Sequence, residues 1–251
     1  MTLNAPGGRQ RHLARRLHDG DDLSIAEIAE EFGVSLDTAR RDLIALEAAG
    51  VARRVHGGAV PRRSPDRPMP EKIRDDPGTL APLARAAATH LEQADTILVD
   101  GGLTALSVAR MIPARPGRMI ATPSPWVAIA SLEAGHPTHL LGGQLNASGG
   151  IATGADCSAQ LAAFAADVAV LGACGIDTEF GLSSDDLAEA ATKRAMAECA
   201  AQVMVVTSAA KLGARARFRT LALSEIDLLV TDATPEITAR FESAGLEVHH
   251  A

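Results

Sequence analysis

Five side chains suited to nucleic-acid contact fall within one short segment of the chain: Ser35, Asp37, Thr38, Arg40 and Arg41. A guanidinium group binds phosphate oxygens and can donate two hydrogen bonds to the edge of a guanine. The segment predicts a helix, since the Ser35 hydroxyl can cap its first turn and residues 39, 43 and 46 form one narrow apolar face. The arginine pair then points away from the core. The alternative is a helical hairpin in which Asp37 and Arg41 form only an i,i+4 surface ion pair.

A second short helix is predicted directly before this one. Ser24 opens an apolar-periodic segment at residues 25–32, and Gly33 ends it. Two short helices joined by a glycine-containing turn, the second carrying paired arginines, are typical of a helix-turn-helix. The second helix of that motif enters the major groove of DNA. A helix over residues 9–18 is expected to precede the pair.

A β-hairpin is predicted after the arginine-bearing helix. Gly50 stops that helix, valines at 51, 55 and 60 favour strands, and Gly57-Gly58 is a turn signal. The hairpin would form a wing beside the helix. It supplies three further candidate DNA-binding side chains: Arg53, Arg54 and His56. We expect this basic wing to contact phosphates.

Taken in order, these residues resemble the winged helix of DeoR-type bacterial transcription regulators. The match consists of Ser35-x-x-Thr38-x-Arg40-Arg41-Asp42-Leu43, then Gly50, then Arg54-x-His56-Gly57-Gly58-Ala59. It covers about residues 9–61. The resemblance implies a double-stranded DNA operator as partner and a DNA-binding domain over residues 1–61.

Residues 62–78 predict a linker, because prolines recur at 65, 68, 70 and 77 with charges between them. From 79 to 251, helices alternate with short apolar strands, which are predicted at 96–99, 119–122, 139–141, 167–171, 203–207, 226–231 and 246–249. This alternation predicts a mainly parallel sheet covered on both faces. The expected fold class is α/β, an N-terminal winged helix-turn-helix followed by a C-terminal Rossmann-like domain.

Three loops of the second domain carry groups suited to an anion. In open α/β sheets, ligands bind where strands end and loops lead into helix N-termini. Residues 100–104, Asp-Gly-Gly-Leu-Thr, offer backbone N–H groups, a hydroxyl and a helix N-terminus. This loop alone is a weak signal, and the glycines at 142–143 are an equally weak one that could form only a turn. Residues 172–177 precede a helix on which Glu189 and Lys193 share one face, which could equally be a surface ion pair.

The second half of the chain resembles the sensor domain of the same family, so that the resemblance covers about residues 9–250. It consists of Asp100-x-Gly102-x-Thr104, Leu141-Gly-Gly143, Gly172-Ala-x-Gly-Ile176, Glu189-Ala190-x-x-Lys193 and Ser208-x-x-Lys211-x-Gly213. The resemblance implies a fold similar to ribose-5-phosphate isomerase and a phosphorylated sugar as effector. The expected effector pocket comprises Asp100, Gly101, Gly102, Thr104, Gly143, Asp177 and Lys193, with Lys211 a second candidate cation. Lys193 and loop N–H groups would bind the phosphate.

Two segments depart from the family's usual pattern. The first loop usually reads Asp-Ser-Gly-Thr-Thr, and here Gly101 and Leu103 replace a Ser and a Thr. The second strand usually ends in Thr-Asn, and here Pro123 follows Thr122. Proline has neither a backbone N–H nor a side-chain amide to offer a ligand. A small anion other than a sugar phosphate therefore stays open as the effector.

Composition and charge agree with a soluble protein of two domains. The net charge is −7, but residues 1–63 hold ten Arg against nine acidic residues, so the acidic excess belongs to the remainder. No apolar run reaches the ~20 residues that span a bilayer, and no signal peptide is evident, so we expect a cytoplasmic protein with no membrane partner. The cysteines lack metal-ligand spacing and predict small buried side chains: Cys157, Cys174 and Cys199. We expect neither a metal nor a cofactor.

We interpret the chain as a DNA-binding transcription regulator of the repressor type, controlled by a phosphorylated sugar and not an enzyme. One winged helix reads only a short site, so a homo-oligomer, dimer or tetramer, is expected on repeated half-sites. The alternative from another class is a sugar-phosphate isomerase, in which Asp177 or Glu189 abstracts a proton and Lys193 stabilises the enediolate. The DNA-binding domain and the lack of a dense carboxylate cluster around Asp177 argue against that alternative.

Overall fold

The computed structural model describes residues 6–18, 23–49, 51–55, 57–61, 68–76 and 78–251. These residues divide into two compact units, Met1–Arg67 and Pro68–Ala251, each with its own hydrophobic core.

The first unit is a winged helix. Its elements are α1 (Pro6–His18), β1 (Leu23–Ser24), α2 (Ile25–Phe32), α3 (Leu36–Ala48), β2 (Ala52–Val55) and β3 (Gly58–Pro61). The strands form an antiparallel sheet in the order β1-β3-β2. The apolar faces of the three helices supply the core, which includes Leu13, Leu17, Ile28, Leu43 and Leu46. The predicted helix-turn-helix and wing are confirmed.

Local chemistry fixes both ends of the turn between α2 and α3. Gly33 ends α2 in the left-handed conformation, with φ 59°, and its N–H bonds to the carbonyls of the last turn. Ser35 caps α3, since its hydroxyl accepts a hydrogen bond from the backbone N–H of Thr38 at 3.2 Å. A buried ion pair between Arg9 Nε and Asp42 Oδ2, 2.5 Å long, ties α1 to α3. Asp42, which follows the arginine pair, is therefore a core residue and not a surface one.

The second unit is a doubly wound α/β domain. Its helices are α4 (Met69–Arg74), α5 (Ala81–Thr89), α6 (Gly102–Ala109), α7 (Pro125–Glu133), α8 (Ala155–Leu161), α9 (Leu187–Glu198) and α10 (Pro235–Ser243). Its strands are β4 (Thr96–Val99), β5 (Met119–Thr122), β6 (Thr138–Leu140), β7 (Gln144–Leu145), β8 (Ala152–Thr153), β9 (Ala166–Gly172), β10 (Gly175–Asp177), β11 (Gly181–Ser184), β12 (Ala200–Val206), β13 (Phe218–Leu221), β14 (Leu228–Thr231) and β15 (Glu247–His250). Short 3-10 helices lie at Ala209–Lys211 and Leu223–Glu225.

Among the described residues, seven strands form one parallel sheet in the order β15-β14-β12-β9-β4-β5-β6. These are the seven strands that the alternating pattern predicts, so the Rossmann-like α/β class is confirmed. Both faces of the sheet are buried. In β4, Ile97 and Val99 pack into one hydrophobic cluster and Leu98 into another, because successive side chains point to opposite faces.

The structure differs from the sequence prediction around the expected linker. Of residues 62–78, the segment 62–67 and Pro77 lie outside the described residues, but 69–74 form α4. Met69 is fully buried in the core of the second unit, and Ile73 packs against that core. The second unit therefore begins at Pro68, eleven residues before the predicted start at residue 79. The recurring prolines predict a linker. They obscure the short amphipathic segment between them that forms α4.

Smaller elements were also missed. A three-stranded antiparallel sheet, β10-β11-β13, and the hairpin β7-β8 lie beside the parallel sheet. Helix α8 follows β8 closely and spans only seven residues, Ala155–Leu161. Cys157 is buried as expected, whereas Cys174 and Cys199 are half-buried.

Candidate functional site

The exposed face of α3 carries the candidate DNA-reading side chains. Arg41 and Asp37 form an exposed i,i+4 ion pair, with Nη2 and Oδ2 2.6 Å apart. Arg40 is also exposed, and its guanidinium makes no hydrogen bond or ion pair with any other described residue. Leu36 and Ile44 flank Arg40 at four-residue spacing and are 56% and 44% exposed. The face thus presents one available cation, one paired cation and two apolar side chains.

The remaining DNA-binding candidates of the first unit lie in the N-terminal cap of α3 and in the wing. The Ser35 and Thr38 hydroxyls hydrogen-bond each other at 2.9 Å, so both hold the start of α3. Arg54 bonds to Glu47 of α3 through its Nε, which joins the wing to the helix. A cleft of about 320 Å³ lies between them, lined in part by Arg40 and Arg54. His56 and the Arg53 side chain lie outside the described residues.

The order of the parallel sheet creates a topological switch point between β4 and β9. From β4 the chain builds outward through β5 and β6, and then returns to β9 on the opposite side of β4. Loops after β4 and β9 therefore diverge to opposite faces and leave a crevice at their carboxyl ends, where ligands bind in this fold class. Asp100 follows β4 directly, and Gly172 ends β9.

Asp100, Gly172 and Lys193 meet at this switch point. Asp100 Oδ2 accepts hydrogen bonds from the Gly172 N–H at 3.0 Å and from Lys193 Nζ at 2.8 Å. Lys193 Nζ also donates to the Gly172 carbonyl at 2.8 Å. Both charged side chains are buried. The ammonium that was expected to bind phosphate is thus largely occupied by the protein, with two of its three N–H groups used.

The surroundings of Lys193 favour its charged form. Burial by itself disfavours the Lys193 ammonium, but the charges of Asp100, Cys174 and Glu189 outweigh that effect and raise the pKa of Lys193 above its ordinary value. Glu189 is buried one helical turn before Lys193 on α9. The i,i+4 spacing of Glu189 and Lys193 therefore marks a buried cluster rather than a surface ion pair.

Three buried oxygens along the same edge of the sheet make no hydrogen bond to any described residue: Asp100 Oδ1, Ser124 Oγ and Thr207 Oγ1. They follow the carboxyl ends of β4, β5 and β12, respectively. Buried polar atoms without partners are rare because each costs about 1–3 kcal/mol of desolvation. Their concentration at the switch point identifies this edge as the candidate ligand site of the second unit.

The loop of residues 146–151, between β7 and β8, packs against the same site. A Cβ on Gly101 would overlap Ile151 Cγ2 and lie 2.9 Å from the Gly149 carbonyl oxygen, so only glycine fits under this loop as it stands. A Cβ on Gly149 would overlap the Glu189 carboxylate. The replacement of the family's usual Ser at residue 101 thus has a steric cause, because Ile151 occupies the place of that side chain.

The opposite side of the 146–151 loop contacts α4 and α7. The Met69 N–H donates to the Ala147 carbonyl at 3.0 Å, and Lys72 Nζ donates to the Ser148 carbonyl at 3.0 Å. A Cβ on Gly150, whose φ is 64°, would lie 2.8 Å from Met69 Cγ and 3.0 Å from Trp126 Cδ1. One short loop therefore lies between the candidate ligand site and the helix that begins the second unit.

Other expected pocket residues have structural roles of their own. Asp177 Oδ1 accepts from the N–H groups of Glu179 and Phe180 and pairs with Arg215 at 2.7 Å, which closes the β10–β11 turn. Gly143 is packed closely against the Thr153 backbone. Lys211 ends a 3-10 helix and is half-buried. None of these contacts joins them to the Asp100–Lys193 pair within the described part of the chain.

Gly102 and Thr104 lie where they were expected, in the first turn of α6. Gly102 has φ 84° and open space where a Cβ would be. The first N–H groups of a helix have no intrahelical partner, so this turn can donate to an anion. Residues 100–104 and Lys193 are therefore brought together by the fold.

Sequence reasoning missed four residues of these sites: Leu36, Ser124, Ile44 and Thr207. The two hydroxyls follow predicted strands, and the rule that ligands bind at strand ends could have found them. The two apolar residues occupy helix positions 36 and 44, outside the core arc of α3. Helical periodicity could have marked both as exposed.

Within the described ranges, no helix is long and apolar enough to cross a membrane. The same residues contain no group of three or more His, Cys, Asp or Glu side chains placed to hold a metal ion.

A winged helix with an exposed basic reading helix, followed by a doubly wound domain with a buried polar site, defines a DNA-binding transcription regulator with a sensor domain. Two family models match the chain: the DeoR-like helix-turn-helix domain over residues 9–64 and the DeoR C terminal sensor domain over residues 81–233. The chain belongs to the DeoR family of transcription regulators.

Full-length relatives agree with this assignment. The HTH-type transcriptional regulator GlpR of Haloferax volcanii is 33% identical over 97% of both chains. The glycerol-3-phosphate regulon repressor of Escherichia coli is 30% identical over 86% of both chains. Among solved structures, ribose 5 phosphate isomerase A from Neisseria gonorrhoeae aligns with 53% of this chain and 54% of its own, at 12% identity and a TM-score of 0.38. The fold assignment follows from the sheet order and the family models, not from that weak likeness.

Proposed function

We propose that this regulator is a repressor that binds an operator through α3 and the wing and releases it when a phosphorylated sugar binds at the carboxyl edge of the large sheet. The names of two relatives support the repressor and effector classes: the glycerol-3-phosphate regulon repressor of Escherichia coli and the transcriptional repressor AccR of Agrobacterium fabrum, which is 30% identical over 93% of this chain. Repression requires that effector and operator favour different states of the protein, because coupling between two sites is reciprocal.

For DNA binding, the exposed face of α3 supplies the base-reading groups. The N-terminal half of a recognition helix reaches base edges in the major groove. Arg40 is the side chain best placed to read a guanine, because no described residue competes for its guanidinium. Arg41 remains a candidate for base contacts, but its guanidinium is also paired with the Asp37 carboxylate. Arg53, Arg54 and His56 of the wing contribute phosphate contacts.

Leu36 and Ile44 extend this reading face. They lie at i−4 and i+4 from Arg40, so the three side chains follow one stripe along the helix. Exposed apolar side chains that lie together on one face can mark an interaction surface. In a major groove, the apolar group available is the thymine methyl. We therefore assign Leu36 and Ile44 to thymine contacts on either side of the base pair read by Arg40.

The effector proposal is carried by the three buried oxygens at the switch point. A sugar hydroxyl can donate to the Asp100 carboxylate and can both donate to and accept from the Ser124 and Thr207 hydroxyls. The first turn of α6 can receive the phosphate on its N–H groups. The ligand that fits is therefore a polyol that carries an anionic group.

Local groups must hold this anion, since residues 64–251 contain 14 Lys and Arg against 22 acidic residues. The long-range field of the domain does not attract a phosphate. Lys193 neutralises Asp100 and retains one N–H for a ligand. In this proposal Lys193 first positions Asp100 and Gly172, and its contact with phosphate is secondary. Asp177 and Lys211 are then peripheral to the effector site. Gly143 has a structural role in its own loop.

A thermal-shift measurement on the full chain tests this function. Glycerol 3-phosphate and fructose 6-phosphate are compared with glycerol, fructose and inorganic phosphate. A ligand at 100 times its Kd stabilises the folded state by about 2.7 kcal/mol, which is a readily measured rise in Tm. We expect a rise with at least one sugar phosphate and none with its separated parts.

The matched variants are Ser124→Ala and Ser131→Ala. Both serines are buried and neither Oγ has a partner among the described residues, but Ser131 lies within α7, away from the strand ends. Ser124→Ala should weaken effector binding by about threefold to tenfold, the scale of one hydrogen bond, and Ser131→Ala should not. A rise in Tm caused only by a non-sugar anion would replace the effector class. Equal effects of the two substitutions would remove Ser124 from the site.

A further inference from the structure

The helix that opens the second unit, α4, is fastened to the loop that packs on the proposed effector site. Met69 and Lys72 of α4 donate hydrogen bonds to the carbonyls of Ala147 and Ser148. Gly149 and Ile151 of the same loop pack against Glu189 and Gly101, respectively. The loop therefore contacts α4 on one side and the proposed site on the other.

The 146–151 loop is braced by hydrogen bonds among its own residues. Asn146 Oδ1 accepts hydrogen bonds from the Ser148 and Gly149 N–H groups at 2.8 and 3.3 Å. The backbone closes on itself from Gly150 N to Asn146 O at 3.0 Å and from Asn146 N to Ile151 O at 2.8 Å. A displacement at Gly149 or Ile151 is thus passed to residues 147 and 148 rather than absorbed between them.

On the side that faces the proposed effector site, this loop is packed without free space. A single added carbon on Gly101 would overlap Ile151, and one on Gly149 would overlap the Glu189 carboxylate. A ligand that settles against the loop after β4 must therefore either contact the 146–151 loop or displace it. Packed interiors respond to such intrusions by discrete shifts, since they are close-packed.

At its N-terminal end, α4 is connected through the chain to the winged helix. Six residues, 62–67, separate Pro61 at the end of β3 from Pro68. Seven peptide steps reach at most about 25 Å, so the position of α4 limits where each winged helix can be held. On paired half-sites, the spacing of two such anchors must match one helical turn of DNA or a multiple of it.

We infer that α4 and the 146–151 loop form the coupling element of this regulator, through which occupancy of the effector site alters operator affinity. The inference rests on the proposed effector site but not on the identity of its ligand. Met69 and Lys72 are then positioning residues that touch neither effector nor DNA. They set how strongly the two binding events influence each other.

A double-mutant cycle tests the coupling without any effector. Gly101→Val places two methyl groups where Ile151 now lies, and its backbone, φ −103° and ψ −170°, suits a β-branched residue. Lys72→Ala removes the side-chain bond between α4 and Ser148. Arg74→Ala is the matched control, since Arg74 is an exposed cation at the end of the same helix. The operator is obtained by selection from a random DNA library with the full-length wild-type chain.

The coupling predicts a specific pattern of operator affinities. Gly101→Val should weaken operator binding by at least about fivefold, the lower range of measured coupling between sites. In the Lys72→Ala background the same substitution should change affinity by a smaller factor, because only the Met69 contacts with the loop then remain, whereas the Arg74→Ala background should preserve the full change. Lys72→Ala alone should leave both operator affinity and melting temperature close to wild type.

Hydrogen exchange of the same variants follows the loop itself. Gly101→Val should accelerate exchange at residues 146–151 and at the Met69 amide, which donates to Ala147. Faster exchange in the loop without a change in operator affinity would overturn the inference, as would an equal effect of Gly101→Val in all three backgrounds. Unchanged exchange in the loop would also overturn it, because the packing of Ile151 on Gly101 would then transmit nothing. A failure to find any sugar-phosphate effector would remove the proposed effector class and leave this cycle intact.

Discussion

Lys193 and Asp100 form a buried ion pair that joins α9 to the loop after β4, with Nζ and Oδ2 2.8 Å apart. Their side chains are 7% and 1% exposed, and Gly172 of β9 hydrogen-bonds to both. Three elements that are distant in sequence are therefore held together by one cation and one anion. Such a pair adds little stability over an apolar equivalent, but loss of one member isolates a buried charge.

Lys193→Met should therefore lower the free energy of unfolding by about 3–5 kcal/mol, because Asp100 loses its counter-charge. Asp100→Asn/Lys193→Met should recover most of that loss, since residue 100 then carries no unpaired charge and Asn keeps an acceptor for the Gly172 N–H. Denaturant unfolding followed by circular dichroism measures both variants. Equal losses in the single and the double variant would show that the pair does not control stability.

Arg40→Ala should weaken binding to a selected operator by about 1–3 kcal/mol and relax base preference at one position of each half-site. The reason is that Arg40 is exposed on α3 with no competing partner among the described residues. Fluorescence anisotropy with the operator and its single-base variants measures the effect. Arg110→Ala, the same substitution at an exposed position of the second unit, is the control and should change nothing.

Leu36→Ala and Ile44→Ala should each make the protein insensitive to one thymine methyl group. Replacement of that thymine by uracil should cost the wild type about fourfold in affinity, on the scale of one buried methyl group, and should cost the matching variant nothing. Leu187→Ala serves as the control, because Leu187 is 58% exposed but lies in the sensor unit. If uracil were tolerated at every position by the wild type, the apolar stripe would not face the bases.

Asp177 should make part of the stability dependent on acid pH. Burial tends to raise its pKa, but the N–H groups of Phe180 and Glu179 together with Arg215 outweigh burial and lower the pKa below the ordinary value. The unfolded chain then binds this proton more readily than the folded protein does. Stability should fall as the pH drops from the unfolded pKa of Asp towards the lower folded value. Tm measured between pH 5 and pH 2.5 should decline less steeply for Asp177→Asn than for the wild type.

Limited proteolysis should cut between residues 61 and 68 and spare the segment after Pro68, because Met69 is buried in the sensor core. The fragment from residue 68 should remain folded and oligomeric, and the winged-helix fragment should be monomeric and bind DNA poorly. Mass spectrometry and light scattering identify the fragments and their masses. Cleavage within α4 would contradict its packing, and a monomeric sensor fragment would contradict the proposed assembly.

Local signals made much of this fold predictable. Ser24, Gly33 and Ser35 bound the two helices of the DNA-binding motif where capping preferences place them. The seven strands of the large sheet follow from short apolar runs between helices. Their order in space does not follow from those runs, since non-local pairing leaves no mark on a single sequence.

The sites were only partly predictable for the same reason. The loop after β4 and Lys193 were recognised, but the contact of Lys193 with Asp100 depends on α9 packing behind β9. Asp177 was assigned to the pocket by its motif, whereas its oxygen is used by its own turn and by Arg215. The role of α4 was hidden because proline spacing resembles a linker until the burial of Met69 is known.

Trp126 lies against Gly150 of the 146–151 loop, with its Cδ1 3.0 Å from where a Cβ on that glycine would be. It is the sole tryptophan in a chain with no tyrosine. Excitation near the indole absorption band therefore addresses one side chain, and that side chain touches the segment proposed to move. Trp126 is thus an intrinsic fluorescent probe of this loop. A shift in its emission wavelength or quenching on effector addition would follow the loop in real time, without a label and without DNA.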